Sequence, residues 1–396
     1  MENTQENYNL ISAEVVADSL NQFGERITTM KLVFPRIILA EFNTHRMFNR
    51  NSASSRALPF KKMVKMVQEQ PFITIAWQKE HTGMQGYEYI TDEKNLRRIK
   101  EDWLEARDNA IYSATQLNNG FNLKDEEGKY VMTKPELRVD RVTKQLCNRL
   151  LEPFMYHTVL VTATEWENFF ELRCPKYQTP VSQTIEPQRS WKDLTNNHSN
   201  EVNITLLNEN KDNIIFKLQH NKGAAEIHIM DLAEKMWDAY NESTPKQLEA
   251  GQWHIPFREF NTPQKENNYI DWEAKYIYNK ITKEKNRLPF VEELVQESIK
   301  TRVKIATARC ARISYETLGD SPEIDYEKDI KLHDDLLAMK HFSPFEHCAK
   351  AMTEEEYIGY RRGDSEYGHS IYPIQNKKYG WSRNLKGFKQ YREIIE

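Results

Sequence analysis

Hydrophobic and polar positions alternate in two runs near the start of the chain. Residues 12–20 and 26–40 have the apolar and β-branched pattern that is typical of strands, and the alternation is clearest in the first half of the second run. The sequence therefore predicts two strands, followed by a polar segment, residues 41–57, that is dense in arginine, asparagine and serine.

Apolar residues at helical spacing dominate much of the remaining chain. Helices are predicted over residues 134–151, 162–173, from about 225 onward, 290–312 and 325–340. Residues 174–223 contain prolines and two short apolar runs, which predict an inserted β-hairpin. Because residues 244–266 are proline-rich and lack periodicity, we predict a core over residues 1–250 and a C-terminal part over residues 251–396.

Composition argues against several classes of function. The chain has 55 lysine and arginine residues against 59 acidic residues. Its net charge of −4 argues against a polycationic protein that binds nucleic acid or anionic membranes by charge. No run of about 18 apolar residues is present to span a bilayer, and the polar start Met1–Asn9 does not resemble a signal peptide. The four cysteines form no Cys-x-x-Cys pair, so we expect no metal site and a reducing, cytoplasmic location.

Arginine side chains are the candidate groups for phosphate binding in this sequence. The glycine-rich fingerprints for dinucleotides and for nucleoside triphosphates are both absent from the sequence. The segment from Thr44 to Arg56 combines three arginines, a histidine and several hydroxyl and amide groups after an apolar run. Guanidinium groups bind phosphate in bidentate fashion, which suits a glycine-free site. The alternative is a solvated loop whose arginines point outward.

Other candidate residues lie farther along the chain. Arg173 ends the apolar run Asn168–Arg173, and Arg149 lies on a separate predicted helix. For both arginines, the alternative to a ligand contact is a stem packed on the helix with its charge in water. The segment His341–His347 has two histidines at a spacing unlike the helical zinc motif, so it predicts a helix start rather than a metal site.

Residues 44–56 resemble the signature of the flavin-dependent thymidylate synthases. The positions in register with that signature are His45, Arg46, Asn51, Ser54 and Arg56. Arg149–Pro153 and Asn168–Arg173 are similar to two further motifs of the family. Residues 308–347 are similar to a segment that precedes the signature in the family, so the chain resembles a long, circularly permuted, phage-like variant.

The resemblance implies an α+β fold, with an antiparallel sheet and long helices, permuted and carrying the inserted hairpin. It implies FAD as cofactor, NADPH as reductant, methylenetetrahydrofolate as co-substrate and a pyrimidine deoxynucleotide as substrate, in a homotetramer or dimer. The implied FAD contacts are His45, Arg46, Asn51, Asn168, His341 and Ser343. The implied nucleotide contacts are Ser54, Ser55, Arg56, Arg149 and Arg173, with Arg173 as the catalytic residue that polarises the pyrimidine.

Three positions depart from the family signature. Thr44 replaces its first arginine, Ser52 replaces a glutamate and Glu41 replaces a glutamine. Conversion of dUMP to dTMP is the first hypothesis, and the departures motivate a second, hydroxymethylation of dUMP or dCMP. A third hypothesis is a relic that binds nucleotide without catalysis, although retention of all three substrate arginines argues against it.

Overall fold

The fold combines helices with a central sheet. The computed structural model describes residues 9–83, 86–120, 140–178, 186–196, 204–257, 263–315, 325–365, 368–373 and 379–396. Its α-helices are α1 (Leu39–Phe42), α2 (Phe60–Glu69), α3 (Glu93–Asn119), α4 (Lys144–Cys147), α5 (Glu167–Arg173), α6 (Trp191–Asn196), α7 (Ile204–Glu209), α8 (Ile214–His220), α9 (Ile227–Glu242), α10 (Pro263–Lys285), α11 (Val291–Arg312), α12 (Tyr326–Ala338), α13 (Glu354–Ile358) and α14 (Tyr391–Ile395).

The strands are short and lie in several sheets. They are β1 (Ser12–Leu20), β2 (Arg26–Pro35), β3 (Asn49–Ser52), β4 (Tyr156–Ala163), β5 (Lys246–Gln247), β6 (Trp253–His254), β7 (Ala349–Ala351), β8 (Tyr360–Ser365), β9 (Gly368–Pro373), β10 (Trp381–Ser382), β11 (Leu385–Lys386) and β12 (Phe388–Gln390). Short 3₁₀ turns occupy Arg36–Ile38, Asn148–Phe154 and Ser343–Glu346. None of the helices in the described ranges has the length and apolar character that a membrane crossing requires.

A five-stranded sheet with the order β3-β4-β2-β1-β5 forms the centre of the molecule. Neighbouring strands are antiparallel except for β1 and β5, which run parallel. The expected α+β fold with a largely antiparallel sheet is therefore confirmed. The circular permutation and the domain boundary near residue 250 stay predictions.

The sheet is covered on both faces. All eight residues of β4 are buried, and side chains alternate between the faces of a strand. On one face, Met30 of β2 and Val161 of β4 belong to an apolar core shared with α5 and α9. On the other face, Thr29 and Thr162 oppose each other across the β2–β4 pair and contact the C-terminal part of the chain.

Buried hydroxyl and imidazole groups form a chain of hydrogen bonds across this second face. Ser19 Oγ lies 2.9 Å from His254 Nδ1, and His254 Nε2 lies 2.8 Å from Thr29 Oγ1. Thr29 Oγ1 lies 2.7 Å from Thr162 Oγ1, which lies 2.8 Å from His347 Nδ1. Because a buried polar group without a partner is costly, this series of hydrogen bonds fixes the position of the C-terminal part on the sheet.

The prediction of an inserted β-hairpin in residues 174–223 is wrong. Residues 179–185 and 197–203 lie outside the described residues, but the two apolar runs form the helices α7 and α8. The Asn213 side chain accepts a hydrogen bond from the first turn of α8 at 3.1 Å and so caps that helix. Leu218 is buried on the inner face of α8. The N-terminal cap and the single buried face identify α8 as a helix, because a strand would instead show alternating buried and exposed residues.

Other predicted elements differ in their bounds. The strand predicted over residues 26–40 ends at Pro35, which cannot donate to a further ladder bond. The helix predicted over residues 162–173 begins later than expected, because β4 continues to Ala163 and α5 starts at Glu167. The helices predicted from about residue 225, over 290–312 and over 325–340 are confirmed as α9, α11 and α12.

The helix predicted over residues 134–151 is mostly absent from its described portion. Residues 134–139 lie outside the described residues. The remainder contains α4, which Thr143 caps by accepting a hydrogen bond from the backbone of Gln145. A 3₁₀ turn that includes Pro153 then replaces the last predicted turns, since proline cannot sit in a helix interior without loss of a hydrogen bond.

We predict that acid destabilises the fold in a defined pH range. Burial lowers the pKa of His45 and His254 to about 4 and that of His157 and His347 to about 3. The unfolded chain, with histidine pKa values of about 6.5, therefore binds protons that the folded chain excludes. The stability that these neutral histidines contribute is complete above pH 7 and is lost as the pH falls from about 6.5 toward 4, by about 1.4 kcal/mol per pH unit for each histidine.

Urea unfolding followed by circular dichroism at pH 7, 6 and 5 measures this loss. His347→Gln should reduce the pH dependence by the equivalent of one proton. A free energy of unfolding that stays constant from pH 7 to pH 5 would contradict the assignment of neutral buried histidines.

Candidate functional site

The short strand β3 joins the signature segment to the C-terminal part of the chain. It lies at the edge of the five-stranded sheet, and its alternate residues Asn49 and Asn51 are buried. Asn49 Nδ2 donates to the carbonyl oxygen of Glu346 at 3.0 Å, and Asn51 Nδ2 donates to that of Cys310 at 2.5 Å. Two side-chain amides thereby satisfy backbone carbonyls of segments far away in sequence.

Residues 44–56 contact the C-terminal segment 308–347 at several points. The bond from Asn51 to Cys310 spans 259 positions of the sequence. The backbone amide of Ser54 also donates to the carbonyl of Ser314 at 3.2 Å. The 3₁₀ turn Ser343–Glu346 packs along β3, so the two segments share one surface of the molecule.

Arg173, the last residue of α5, contacts the start of the signature segment. Arg173 Nε donates to His45 Nε2 at 3.1 Å, and Arg173 Nη2 lies 3.5 Å from Thr44 Oγ1. The ring of His45 is buried against Phe48 and Phe169, with ring centroids 5.8 and 4.9 Å away. The end of α5 and the start of the signature therefore converge on one point.

His45 is neutral at physiological pH. Burial is the main cause that lowers its pKa to about 4, and the positive charges of Arg173 and Arg50 lower it further. A neutral ring with its proton on Nδ1 leaves Nε2 free to accept from Arg173, and this tautomer is inferred from the hydrogen bond. His45 therefore orients the Arg173 guanidinium without neutralising its charge.

The predicted nucleotide contacts form a second group at the far end of β3. Ser55 Oγ donates to Glu152 Oε1 at 2.5 Å, and Arg56 Nε donates to Gln145 Oε1 at 3.3 Å. Arg149 is exposed on the 3₁₀ turn that also carries Glu152. Ser54, which is half-buried, precedes this group directly.

The strand β3 separates the two groups. Its four residues span about 13 Å at about 3.3 Å per residue. The structure thus brings Arg173 and His45 together, and separately Ser55 and Arg56, on one surface.

The predicted FAD contacts are mostly accessible. Arg46, Asn168 and His341 are exposed, and the half-buried Ser343 has its hydroxyl 3.3 Å from His341 Nε2. Asn51 differs, because it is buried and its amide donates to a backbone carbonyl. Its contact with FAD stays a prediction, whereas its part in holding β3 is seen directly.

Four arginines of the site lack carboxylate partners among the residues that the structure describes. They are Arg46, Arg56, Arg149 and Arg173. By contrast, the half-buried Arg302 is paired with Glu273 at 2.5 Å. Unpaired guanidinium groups are suited to phosphate and to other anionic groups, so the donor set fits a phosphate-bearing cofactor or nucleotide.

A buried carboxylate oxygen also lies beside this site. Glu41 Oε2 is buried without a hydrogen-bond partner in the described structure, and the backbone carbonyl of Glu41 accepts from Thr44 Oγ1 at 2.7 Å. An unsatisfied buried acceptor is costly, and a ligand N–H would satisfy it. By contrast, no group of three or more candidate metal ligands occurs in the part of the chain that is described.

Sequence reasoning missed several residues that support the site. Asn148 Nδ2 donates to the carbonyls of Ser55 and Leu58 at 2.6 and 3.0 Å, and Arg50 Nη1 donates to that of His45 at 3.1 Å. These side chains bond to backbone carbonyls, which leave no trace in the sequence of the partner. The spacing of two between the buried Asn49 and Asn51 was a usable signal, since it is the period of a strand with one buried face.

No protein-family model and no curated protein matches the chain. Solved structures that it resembles include a UMP/dUMP methylase, PolB, from Streptomyces cacaoi, bound with 5-Br UMP in one structure and 5-Br dUMP in another. The first shares 12% sequence identity with this chain at a TM-score of 0.35, over 59% of this chain and 89% of that one. The second shares 10% at 0.34, over 59% and 90%. Similarity at this level assigns no activity to the chain.

We predict that two asparagines of the candidate site differ in their effect on stability. Asn51→Ala leaves the buried carbonyl of Cys310 without a donor and should lower the free energy of unfolding by about 1–3 kcal/mol. Asn168→Ala alters an exposed side chain and should change it by less than about 0.5 kcal/mol. Urea unfolding of both variants measures the difference, and equal stabilities would contradict the internal role of Asn51.

Proposed function

We propose that this chain is a flavin-dependent enzyme that transfers a one-carbon group to C5 of a pyrimidine deoxynucleotide, converting dUMP to dTMP with methylenetetrahydrofolate and NADPH. The hydrogen bond between Arg173 and His45 is the observation that carries the proposal. It joins two motifs, each similar to the flavin-dependent thymidylate synthases, that lie 128 positions apart in sequence. Chance similarity of separate motifs gives no reason for them to meet in space.

Arg173 has the geometry that this chemistry needs. Transfer at C5 places negative charge on the pyrimidine ring, and a fixed donor aimed at that charge stabilises the transition state. The Nε of Arg173 is held by His45 and its Nη2 lies 3.5 Å from Thr44 Oγ1, so we assign Nη1 to the base. We assign the nucleotide phosphate to Arg56 and Arg149, which are exposed and have no ion-pair partner among the described residues.

The accessible donors suit the flavin as well. We assign FAD to the exposed Arg46, Asn168 and His341, to the half-buried Ser343 and to the buried His45, and Arg46 supplies an unpaired positive charge for a phosphate group. FAD, when bound, would supply the hydride that reduces the transferred carbon. NADPH is the proposed source of the reducing equivalents.

Separation of the two groups by β3 is consistent with an assembled site. We propose a homotetramer or a dimer in which a second subunit completes each site. The single chain then presents the arginines on an open surface, as the exposure of Arg46, Arg56 and Arg149 indicates.

The departures from the family signature motivate a second candidate substrate. Glu41 stands where the family has a glutamine, and its Oε2 is buried without a hydrogen-bond partner among the described residues. We propose dCMP as the alternative substrate, with hydroxymethyl as the alternative product.

Mass spectrometry of the reaction products tests the proposed function. The purified protein is incubated with FAD, NADPH and methylenetetrahydrofolate, and with either dUMP or dCMP. We expect a flavin visible spectrum and a methylated product from dUMP. A hydroxymethylated product from dCMP would establish the alternative, and nucleotide binding without any product would identify a relic.

We predict different losses for two arginines. Arg173→Ala removes an oriented donor and should lower kcat about 100- to 1000-fold. Arg56→Ala removes a phosphate contact and should weaken nucleotide binding about tenfold, with a smaller effect on kcat. Steady-state kinetics and isothermal titration calorimetry separate the two effects. If neither variant differs from the wild type, the assignment of these residues is wrong.

A further inference from the structure

An arginine outside the candidate site clasps the end of α5. Arg189 lies in the inserted segment and is 7% exposed. Its Nη1 donates to the carbonyls of Phe170 and Cys174 at 3.1 and 2.7 Å, and its Nη2 pairs with Glu171. One guanidinium therefore spans the last turn of the helix that carries Arg173.

The position of this guanidinium has a clear physical consequence. A cation at the C-terminal end of a helix complements the helix dipole, and Arg189 adds a second donor to the Phe170 carbonyl, which also accepts from the backbone amide of Cys174 at 2.9 Å. Because a planar guanidinium bonds to two carbonyls at once, it fixes the direction of the last turn as well as its stability. Arg173 is the final residue of that turn.

A second hydrogen bond joins the same two segments in the opposite direction. Cys174 Sγ donates to the carbonyl of Arg189 at 3.3 Å. Burial raises the pKa of the Cys174 thiol well above its ordinary value, so the thiol stays protonated and remains a donor. The residues that follow α5 and the residues around Arg189 therefore hold each other in both directions.

The segment around Arg189 is itself anchored on α9. The backbone amide of Trp191 donates to Glu234 Oε1 at 2.8 Å, and Trp237 Nε1 donates to Asp193 Oδ2 at 2.9 Å. The Arg189 guanidinium lies 5.5 Å from the ring centroid of Trp237. The position of Arg189 is thus set by a long helix of the core.

We propose that Arg189 is a positioning residue for Arg173: by clasping the end of α5, it holds the Arg173 guanidinium against His45 and in the direction that nucleotide binding requires. The statement about nucleotide rests on the proposed function, whereas the statement about His45 does not. The inserted segment would then be part of the machinery of the site, although it contributes no contact to the ligand.

The titration of His45 tests the positioning without any ligand. Histidine-selective ¹³C labelling of the full chain gives its pKa by NMR. In the wild type, burial and the charge of Arg173 hold this pKa near 4. Arg173→Ala should shift it upward, and Arg189→Met should shift it in the same direction, because Arg173 then leaves His45. The double variant should shift it no further than Arg173→Ala alone.

The affinity for nucleotide gives an independent measurement. Isothermal titration calorimetry with dUMP and dCMP should show that Arg189→Met and Arg173→Ala weaken binding by similar factors and that the double variant binds no more weakly than Arg173→Ala. If the wild type binds neither nucleotide, the proposed function fails, while the titration of His45 still decides the role of Arg189.

Lys192→Met is the matched control. Lys192 lies in the same segment and pairs with Glu242 of α9, and no hydrogen bond or ion pair joins it to α5 among the described residues. It should leave both the pKa of His45 and the nucleotide affinity unchanged. Thermal unfolding of each variant reports the purely structural contribution.

An Arg189→Met variant that lowers the melting temperature but leaves the pKa of His45 at its wild-type value would overturn the proposal. So would losses in affinity that add in the double variant. If Arg189→Met does not fold, Arg189→Lys, which keeps the charge but lacks the planar fork, replaces it. The pKa of His45 should then rise by less than in Arg173→Ala, and no rise would again overturn the proposal.

Discussion

The arrangement of the site depends on two side-chain amides of β3. The strand β3 lies at the edge of the sheet, and its buried face contacts a different part of the chain. Asn49 and Asn51 donate to the carbonyls of Glu346 and Cys310, so segments from opposite ends of the sequence are held on one surface. The signature residues before and after β3 take their positions from this contact, and the buried chain through His347 holds the same C-terminal segment on the sheet.

The electrostatics of the site follow from how little of its positive charge is neutralised. His45 stays uncharged because it is buried beside two arginines. It therefore orients Arg173 by a hydrogen bond and leaves the guanidinium charge available to a ligand. Arg50 supports the same turn by donating to the carbonyls of Phe42 and His45 rather than to a carboxylate. Such a surface favours an anionic ligand, and negative charge is the property that FAD and nucleotides share.

Elements with long periodic patterns were predictable from the sequence. Helices α9, α11 and α12 and strand β1 have a consistent period and lie close to their predicted positions. The short runs that form α7 and α8 were misread, because a run of about four apolar residues fits a strand and a buried helix equally well. The role of Arg189 leaves no pattern in the sequence, because its partners are backbone carbonyls at the end of a helix.

For the candidate site, resemblance placed residues that physical reasoning alone left open. Composition and spacing left Arg173 as an arginine at a helix end, with its stem packed and its head in water. The family motif assigned it to a ligand, and the structure adds its contact with His45. The supporting residues Asn148 and Glu152 follow from the fold and not from any motif, because their role depends on which turn lies beside Ser55.

Release of tritium from dUMP labelled at C5 tests the central claim most directly. Any one-carbon transfer at C5 replaces that hydrogen, whatever the final product is. The account predicts release that requires FAD and methylenetetrahydrofolate and that falls at least about 100-fold in Arg173→Ala. Retention of the label in both dUMP and dCMP, by a wild-type protein that is folded and supplied with all co-substrates, would contradict it.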